Sequence, residues 1–233
     1  MMMGLHPAQQ RLHQTETGRT AWVTFPTKGG GFGPLEGFEE IVLEPRCDNR
    51  PLPHHEGDTL TYVHEGAVAY ANSRGESGVM RAGELRRMTG VAQSQQLEAN
   101  ASDSDSAQLF RMKLADNRRA VEPRDEQRRF GIANQRVGLC VIASHDGRNG
   151  SLRLQQEALV FSAVLSAGQH VVHEVALTRQ AWLHVVAGEI RLGDDWLRAG
   201  DGWGFLAAQR VSLLGGMGAE ILLLDLPGVE VGR

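Results

Sequence analysis

Apolar and polar positions alternate along this chain in short runs, and no stretch longer than about ten residues holds a helical period well. The runs with strand character are Thr20–Phe25 (TAWVTF), Phe38–Leu43 (FEEIVL), Thr59–Val63 (TLTYV) and Ala67–Asn72 (AVAYAN). Further runs follow at Val79–Met88, Ser94–Glu98, Leu109–Leu114 (LFRMKL) and in the closing ILLLDLP. Glu65-Gly66 separates two of these runs, which predicts a hairpin. LFRMKL reads as a strand with apolar alternation at Leu109, Met112 and Leu114.

The pattern repeats. TYVHEGAVAY, ending at Tyr70, has a counterpart in LHVVAGEIRL, ending at Leu192, and the RAGE turn at Arg81–Glu84 has one in RAGD at Arg198–Asp201. Gly66 and Gly188 lie 122 residues apart, Gly83 and Gly200 117. Two matches in the same order at nearly the same offset imply an internal duplication of a β domain. With 28 glycines and many short strands, the expected fold is all-β, two jelly-roll domains with little helix. The expected division is a frayed N-terminus over 1–19, an N-terminal domain over 20–114 and a C-terminal domain over 131–233. Between them, 115–130 (ADNRRAVEPRDEQRRF) is highly charged and reads as a solvated connector, with an electrostatic contact surface as the alternative.

Charge and cysteine content narrow the function. A net charge of −4 argues against direct nucleic-acid binding, which favours a basic surface. Cys47 and Cys140 form no CxxC and read as two thiols in a reducing cytoplasm, a single disulfide being the alternative. The first residues lack a secretory apolar core, and no run approaches the roughly 20 apolar residues that span a bilayer. A cytoplasmic protein without a membrane partner is therefore expected. GGGFG lacks the Lys-Ser/Thr of a phosphate-binding loop and reads as a turn. No Ser-His-Asp elbow, HExxH helix or zinc-spaced cysteine pair is present. His64, beside the Glu65-Gly66 turn, is expected at the surface; His170 and His173 should face opposite ways on a strand, and His184 lies in a core strand.

LPHHEGDTLTYVHEG (Leu52–Gly66), MTGVAQSQQLEA from Met88, EPRDEQRRF, DGRNGSLRLQQE (Asp146–Glu157), WLHVVAGEI and LLLDLP occur in one order. Together they resemble the pirin family, bicupins related to quercetin 2,3-dioxygenases. The resemblance covers roughly residues 20 to 228. It implies an N-terminal cupin that, in metal-binding members, holds an iron-type ion on three histidines and one glutamate. Those four positions fall on Leu52, His54, Gln96 and Glu98, where Leu cannot coordinate and a Gln amide oxygen is a poor donor beside imidazole. Glu56 and Asp58 share the parity of His54 and are the possible substitutes, with Gly57 interrupting the strand between them.

The resemblance with this ligand set implies a bicupin without catalytic metal and with no cofactor, acting as a small-molecule-binding or protein-interaction module. The alternative is a quercetin 2,3-dioxygenase-type enzyme that uses a rearranged ligand set and iron or another divalent transition metal. A second alternative, from the family's animal members, is transcriptional co-regulation through a protein partner. The pocket is expected to persist, with Leu52 as an apolar wall and His54 paired with Glu98.

Overall fold

A computed structural model describes residues 4–26, 30–48, 50–52, 55–73, 75–89, 95–116, 124–131, 138–206 and 209–228. The chain divides into two compact units. One comprises Arg11–Gly31 and Leu35–Phe130, the other Met1–Gln10, Phe32–Pro34 and Gly131–Arg233. In chain order the first strands are Gly4–His6 (β1), Leu12–Glu16 (β2), Arg19–Phe25 (β3), Leu35–Leu43 (β4), Arg50–Pro51 (β5) and Thr59–Glu65 (β6). They continue with Ala67–Asn72 (β7), Ser77–Arg81 (β8), Glu84–Thr89 (β9), Gln96–Asn100 (β10), Ala107–Leu114 (β11) and Arg124–Arg129 (β12). The second half holds Cys140–Ser144 (β13), Leu152–Arg153 (β14), Leu159–Leu165 (β15), His170–Val175 (β16) and Arg179–Ala187 (β17). Glu189–Leu192 (β18), Asp195–Arg198 (β19), Gly202–Phe205 (β20), Gln209–Gly215 (β21) and Ala219–Pro227 (β22) complete it. Among the described residues, helix is confined to single 3-10 turns at Ala8–Gln10 and Arg148–Gly150.

Each unit packs a larger sheet on a smaller one. The N-terminal unit pairs β12-β9-β6-β11-β4-β3-β2 in one sheet and β5-β10-β7-β8 in the other. The C-terminal unit has β1-β20-β17-β22-β15-β13-β14 and β16-β21-β18-β19. The duplication is therefore one of topology, down to single hydrogen bonds. Gly83 N donates to Val63 O at 2.9 Å, as Gly200 N does to Val185 O at 2.8 Å. Ala82 N reaches Gly66 O at 3.2 Å, and Ala199 N reaches Gly188 O at 3.0 Å. In both turns the acidic residue caps the arginine amide: Glu84 accepts from Arg81 N, Asp201 from Arg198 N.

Three sequence expectations need correction. β6 and β7 do not form a hairpin; they lie in different sheets, and Gly66 carries the chain from one to the other. Gly66 has φ 74°, and a Cβ there would stand 2.6 Å from the Ser106 carbonyl oxygen, so the crossing needs glycine. Gly66→Ala is expected to cost about 2–3 kcal/mol, read as a lower urea midpoint with unchanged slope. Next, the first residues are not frayed across 1–19. β1 pairs antiparallel with β20, and β2 pairs with β3. Finally, the charged stretch 115–130 is not all connector. Its second half is β12, an edge strand of the N-terminal unit in register with β9 from Arg124↔Thr89 to Arg129↔Glu84. Charged residues suit that place, because an edge strand with ionic side chains resists pairing with other chains.

The core of the N-terminal unit occupies only part of its interior. Val63, Leu109, Ile41 and Ala21 of the larger sheet meet Val68 and Met80 of the smaller one. The opposite face of the larger sheet is buried too, at Leu60, Tyr62, Phe110, Met112 and Phe38. This explains why LFRMKL shows apolar residues at both parities. The C-terminal interior is apolar, with Leu183, Leu223, Val185, Ile221, Leu213 and Phe205 among its members. Among the described residues no helix is long and apolar enough to cross a membrane.

Candidate functional site

Beyond its apolar patch, the interior of the N-terminal unit turns ionic. Neighbouring strands of the larger sheet align Arg86, Thr61, Arg111 and Glu39 in one row. Side chains in one cross-strand row face the same way. With Gly66 matched to Gly188, the corresponding C-terminal row is Trp203, Leu183, Leu223 and Phe161. The same architecture thus fills one unit with hydrocarbon and the other with charge.

The charges interlock. Arg111 is 3% exposed and donates through Nη2 to Glu98 Oε2, while its Nη1 lies 3.8 Å from Glu39. Arg19 reaches Glu39 at 3.1 Å and Lys113 at 3.9 Å, so three cations share that carboxylate. Arg86, 1% exposed, binds Asp125 of β12 through Nε and Nη2 and donates to Gln96 Oε1 at 3.1 Å. Its guanidinium carbon sits 3.6 Å from the centroid of the Tyr70 ring, a cation–π contact. Burial raises the Tyr70 phenol above its usual range, against the pull of Arg86. Burial pushes Lys113 below the ordinary lysine value; Glu39 opposes the shift, while Arg111 and Arg19 add to it.

A cavity of about 450 Å³ opens beside this network. Its apolar wall includes Val23, Phe25, Ile41, Leu43 and Leu52, and its polar lining includes Arg19, Glu39, Glu98, Arg111 and Lys113. A cleft of this size that sets an apolar wall against convergent polar groups has the form of a small-molecule site. Several polar atoms in the row, and one facing it, are buried without a hydrogen-bond partner among the described residues: Arg111 Nε, Arg86 Nη1 and Thr61 Oγ1 in the row, and Glu98 Oε1 opposite.

The residues singled out by sequence fall as follows. Leu52 lines the cavity, and its amide donates to Gln96 O at 2.8 Å. Gln96 and Glu98 are both buried, on the inward face of β10. His54 lies outside the described residues. The expected partnership of Glu98 with His54 therefore lies outside the described residues; among them, Arg111 reaches Glu98 from the facing sheet. Neither substitute ligand lines the cavity: Glu56 is exposed, and the buried Asp58 carboxylate accepts from Thr89. His55 is held by the Leu114 carbonyl at 2.8 Å. His64 is half-buried, edge-on to Phe110, rather than at the surface. Cys47 and Cys140 are both free thiols, and burial raises Cys140 above the usual thiol range.

In the C-terminal unit His170 is exposed on Ser212, whereas His173 turns the other way and meets Asp225 at 2.7 Å. Arg179 also binds Asp225, so that carboxylate serves two basic groups. Sequence reading found neither this pair nor the inward arginines. The signal for the latter was present: Arg111 and Lys113 share the parity of Leu109 on a strand whose other parity is also apolar.

A family model described as Pirin matches residues 27–113, and one for the quercetinase C-terminal cupin domain matches residues 141–226. The chain belongs to the pirin family. Its two units are the two cupin-type domains of a bicupin. Among pirin relatives, a quercetin 2,3-dioxygenase of Escherichia coli strain K12 is 29% identical over 98% of this chain and 100% of its own length. The crystal structure of YhhW from Escherichia coli superposes with a TM-score of 0.88 at 29% identity, covering 99% of this chain and 100% of that one. A second structure, of the bacterial pirin YhhW in complex with nickel(II), gives 0.87 at 28% identity over 98% and 100%.

The family's metal can be tested against the side chains present. At the four positions that the pirin pattern uses, Leu52 has no donor atom. The Gln96 oxygen is taken by Arg86, and one Glu98 oxygen is taken by Arg111. Two buried guanidinium groups on the ligand positions oppose a divalent cation by charge as well as by occupancy. Among the described residues, no cluster of three or more His, Cys, Asp or Glu side chains is placed to hold a metal ion. The described donor set does not fit the metal.

Proposed function

We propose that this pirin-family bicupin works without a catalytic metal and binds a flat, partly apolar small molecule in its N-terminal cavity. One observation carries the reading: Arg86 and Arg111 occupy Gln96 and Glu98, beside a cavity that stays open. A buried carboxylate already paired with arginine gains little from a metal, since the ion must first displace a hydrogen-bonded cation. The competing reading is a metal-dependent dioxygenase. It rests on the names of the quercetin 2,3-dioxygenase relatives and on the nickel in YhhW.

The purified protein is expected to carry far less than one transition-metal ion per chain by elemental analysis. Quercetin should bind equally in the presence and absence of a chelator, and adding Fe²⁺ or Ni²⁺ should produce no quercetin-dependent oxygen uptake. Near-stoichiometric metal that Glu98→Ala removes, or oxygen uptake on metal addition, would reverse the reading in favour of the dioxygenase.

A further inference from the structure

We infer that the N-terminal cavity takes a neutral planar ring with a hydrogen-bond donor beside an acceptor, the edge of a cyclic amide, read by Glu98 and Arg111. The inference rests on the metal-independent reading of the cavity and adds the chemical class of its ligand. Glu98 belongs to β10 and Arg111 to β11, strands of facing sheets, and both residues line the cavity. They are 4% and 3% exposed, so water does little to satisfy whatever their hydrogen bonds leave open.

The pair is joined by one bond where its shape allows two. Arg111 donates through Nη2 to Glu98 Oε2. Nη2 and Nε of a guanidinium present N–H bonds along one edge, which matches the two oxygens of a carboxylate. The second bond of that fork, from Nε–H to Oε1, is not made, and among the described residues neither atom has another partner. A buried donor and a buried acceptor are thus left open on two groups already joined at their neighbouring atoms. Each carries the desolvation cost of an unmade hydrogen bond. Nη1 of the same guanidinium faces Glu39 at 3.8 Å, so a rotation that closed the fork would act on that ion pair as well. The position of Arg111 holds Leu223 in the C-terminal unit, so the fold itself does not require a buried arginine there.

A cyclic amide has the complementary edge. Its carbonyl oxygen accepts from Arg111 Nε–H and its N–H donates to Glu98 Oε1, so one group meets both needs and adds no net charge to the pair. A carboxylate would supply acceptors alone and meet the like charge of Glu98; an ammonium would supply donors alone and meet that of Arg111. Val23, Phe25, Ile41, Leu43 and Leu52 offer the apolar surface for the rest of the ring.

Calorimetric titration of the full chain with 2-quinolone and with coumarin tests this. The two share one skeleton and differ in the ring N–H of the first, which is an ether oxygen in the second. 2-Quinolone is expected to bind at least about tenfold tighter, the share of one hydrogen bond to a charged acceptor. Glu98→Gln should narrow that preference to within about threefold or reverse it, because Arg111 takes the amide oxygen and leaves a donor at the place of Oε1. Equal binding of the two by the wild-type protein overturns the cyclic-amide inference and leaves the cavity as a site for an apolar ring. Binding of neither overturns the inference, and quercetin titrated in the same way then decides the small-molecule reading separately. A preference unaltered in a folded Glu98→Gln protein overturns the assignment to Glu98. Should that variant fail to fold, Leu52→Trp fills the same cavity from its wall and should abolish 2-quinolone binding; retained binding overturns the inference.

Discussion

Arg111→Ala is expected to destabilise the protein by about 3–5 kcal/mol, as an unpaired buried charge does. Glu98 is 4% exposed, and among the described residues one of its oxygens is bonded to Arg111 while the other has no partner. Truncating the arginine leaves that carboxylate dehydrated and without a cation. The cost should be specific to the orphan, not to the lost packing. Arg111→Leu combined with Glu98→Leu replaces the pair with leucines, the residue type that fills the sibling unit's core at Leu223 and Leu213, and should recover most of the loss. Chemical denaturation of the two single variants and the double gives the coupling directly. A double variant as unstable as Arg111→Ala would show that the row depends on its charges for folding, and would weaken the case that they are kept for a ligand.

Arg86→Ala should cost a similar amount, about 3–5 kcal/mol, but with a local signature. Arg86 has no exposed side-chain area and joins Asp125 on the edge strand β12 to Gln96 in the facing sheet and to the Tyr70 ring. Losing it should loosen β12 before the rest of the unit. Hydrogen exchange of residues 124–129 should therefore accelerate well beyond that of β11, the central strand. Uniform acceleration across the larger sheet would contradict a pinning role for Arg86.

The sequence was most legible where local pattern and topology coincide. The glycines at 66 and 83 mark the same two events as those at 188 and 200, because positive φ leaves few other choices there. The hairpin reading at Gly66 failed because strand–Gly–strand is also the signature of a chain changing sheets. Local sequence does not record which sheet the next strand joins. β12 was missed for a related reason: an edge strand needs no apolar face, so RDEQRR reads as a connector until its partner β9 is known. At the site, the family pattern pointed to Leu52, Gln96 and Glu98; Leu52 and Glu98 line the cavity, and Gln96 is buried on the same face of β10 as Glu98. Their partners were not found. Arg86 and Arg111 come from different strands, and an arginine in sequence looks solvated until both faces of its strand prove buried.

The pairing of β1 with β20 sets a schedule for the newborn chain. Gly4 faces Gly204, so this strand leaves the ribosome with its partner still about two hundred residues downstream. At translation rates of about 5–20 residues per second, that wait lasts roughly ten to forty seconds. All of residues 11–130 emerge in the interval, and that unit contains its own strand partners. The N-terminal unit can thus finish folding while the segment ahead of it is still waiting. During that time β1 has no strand partner from its own sheet and is open to chaperones.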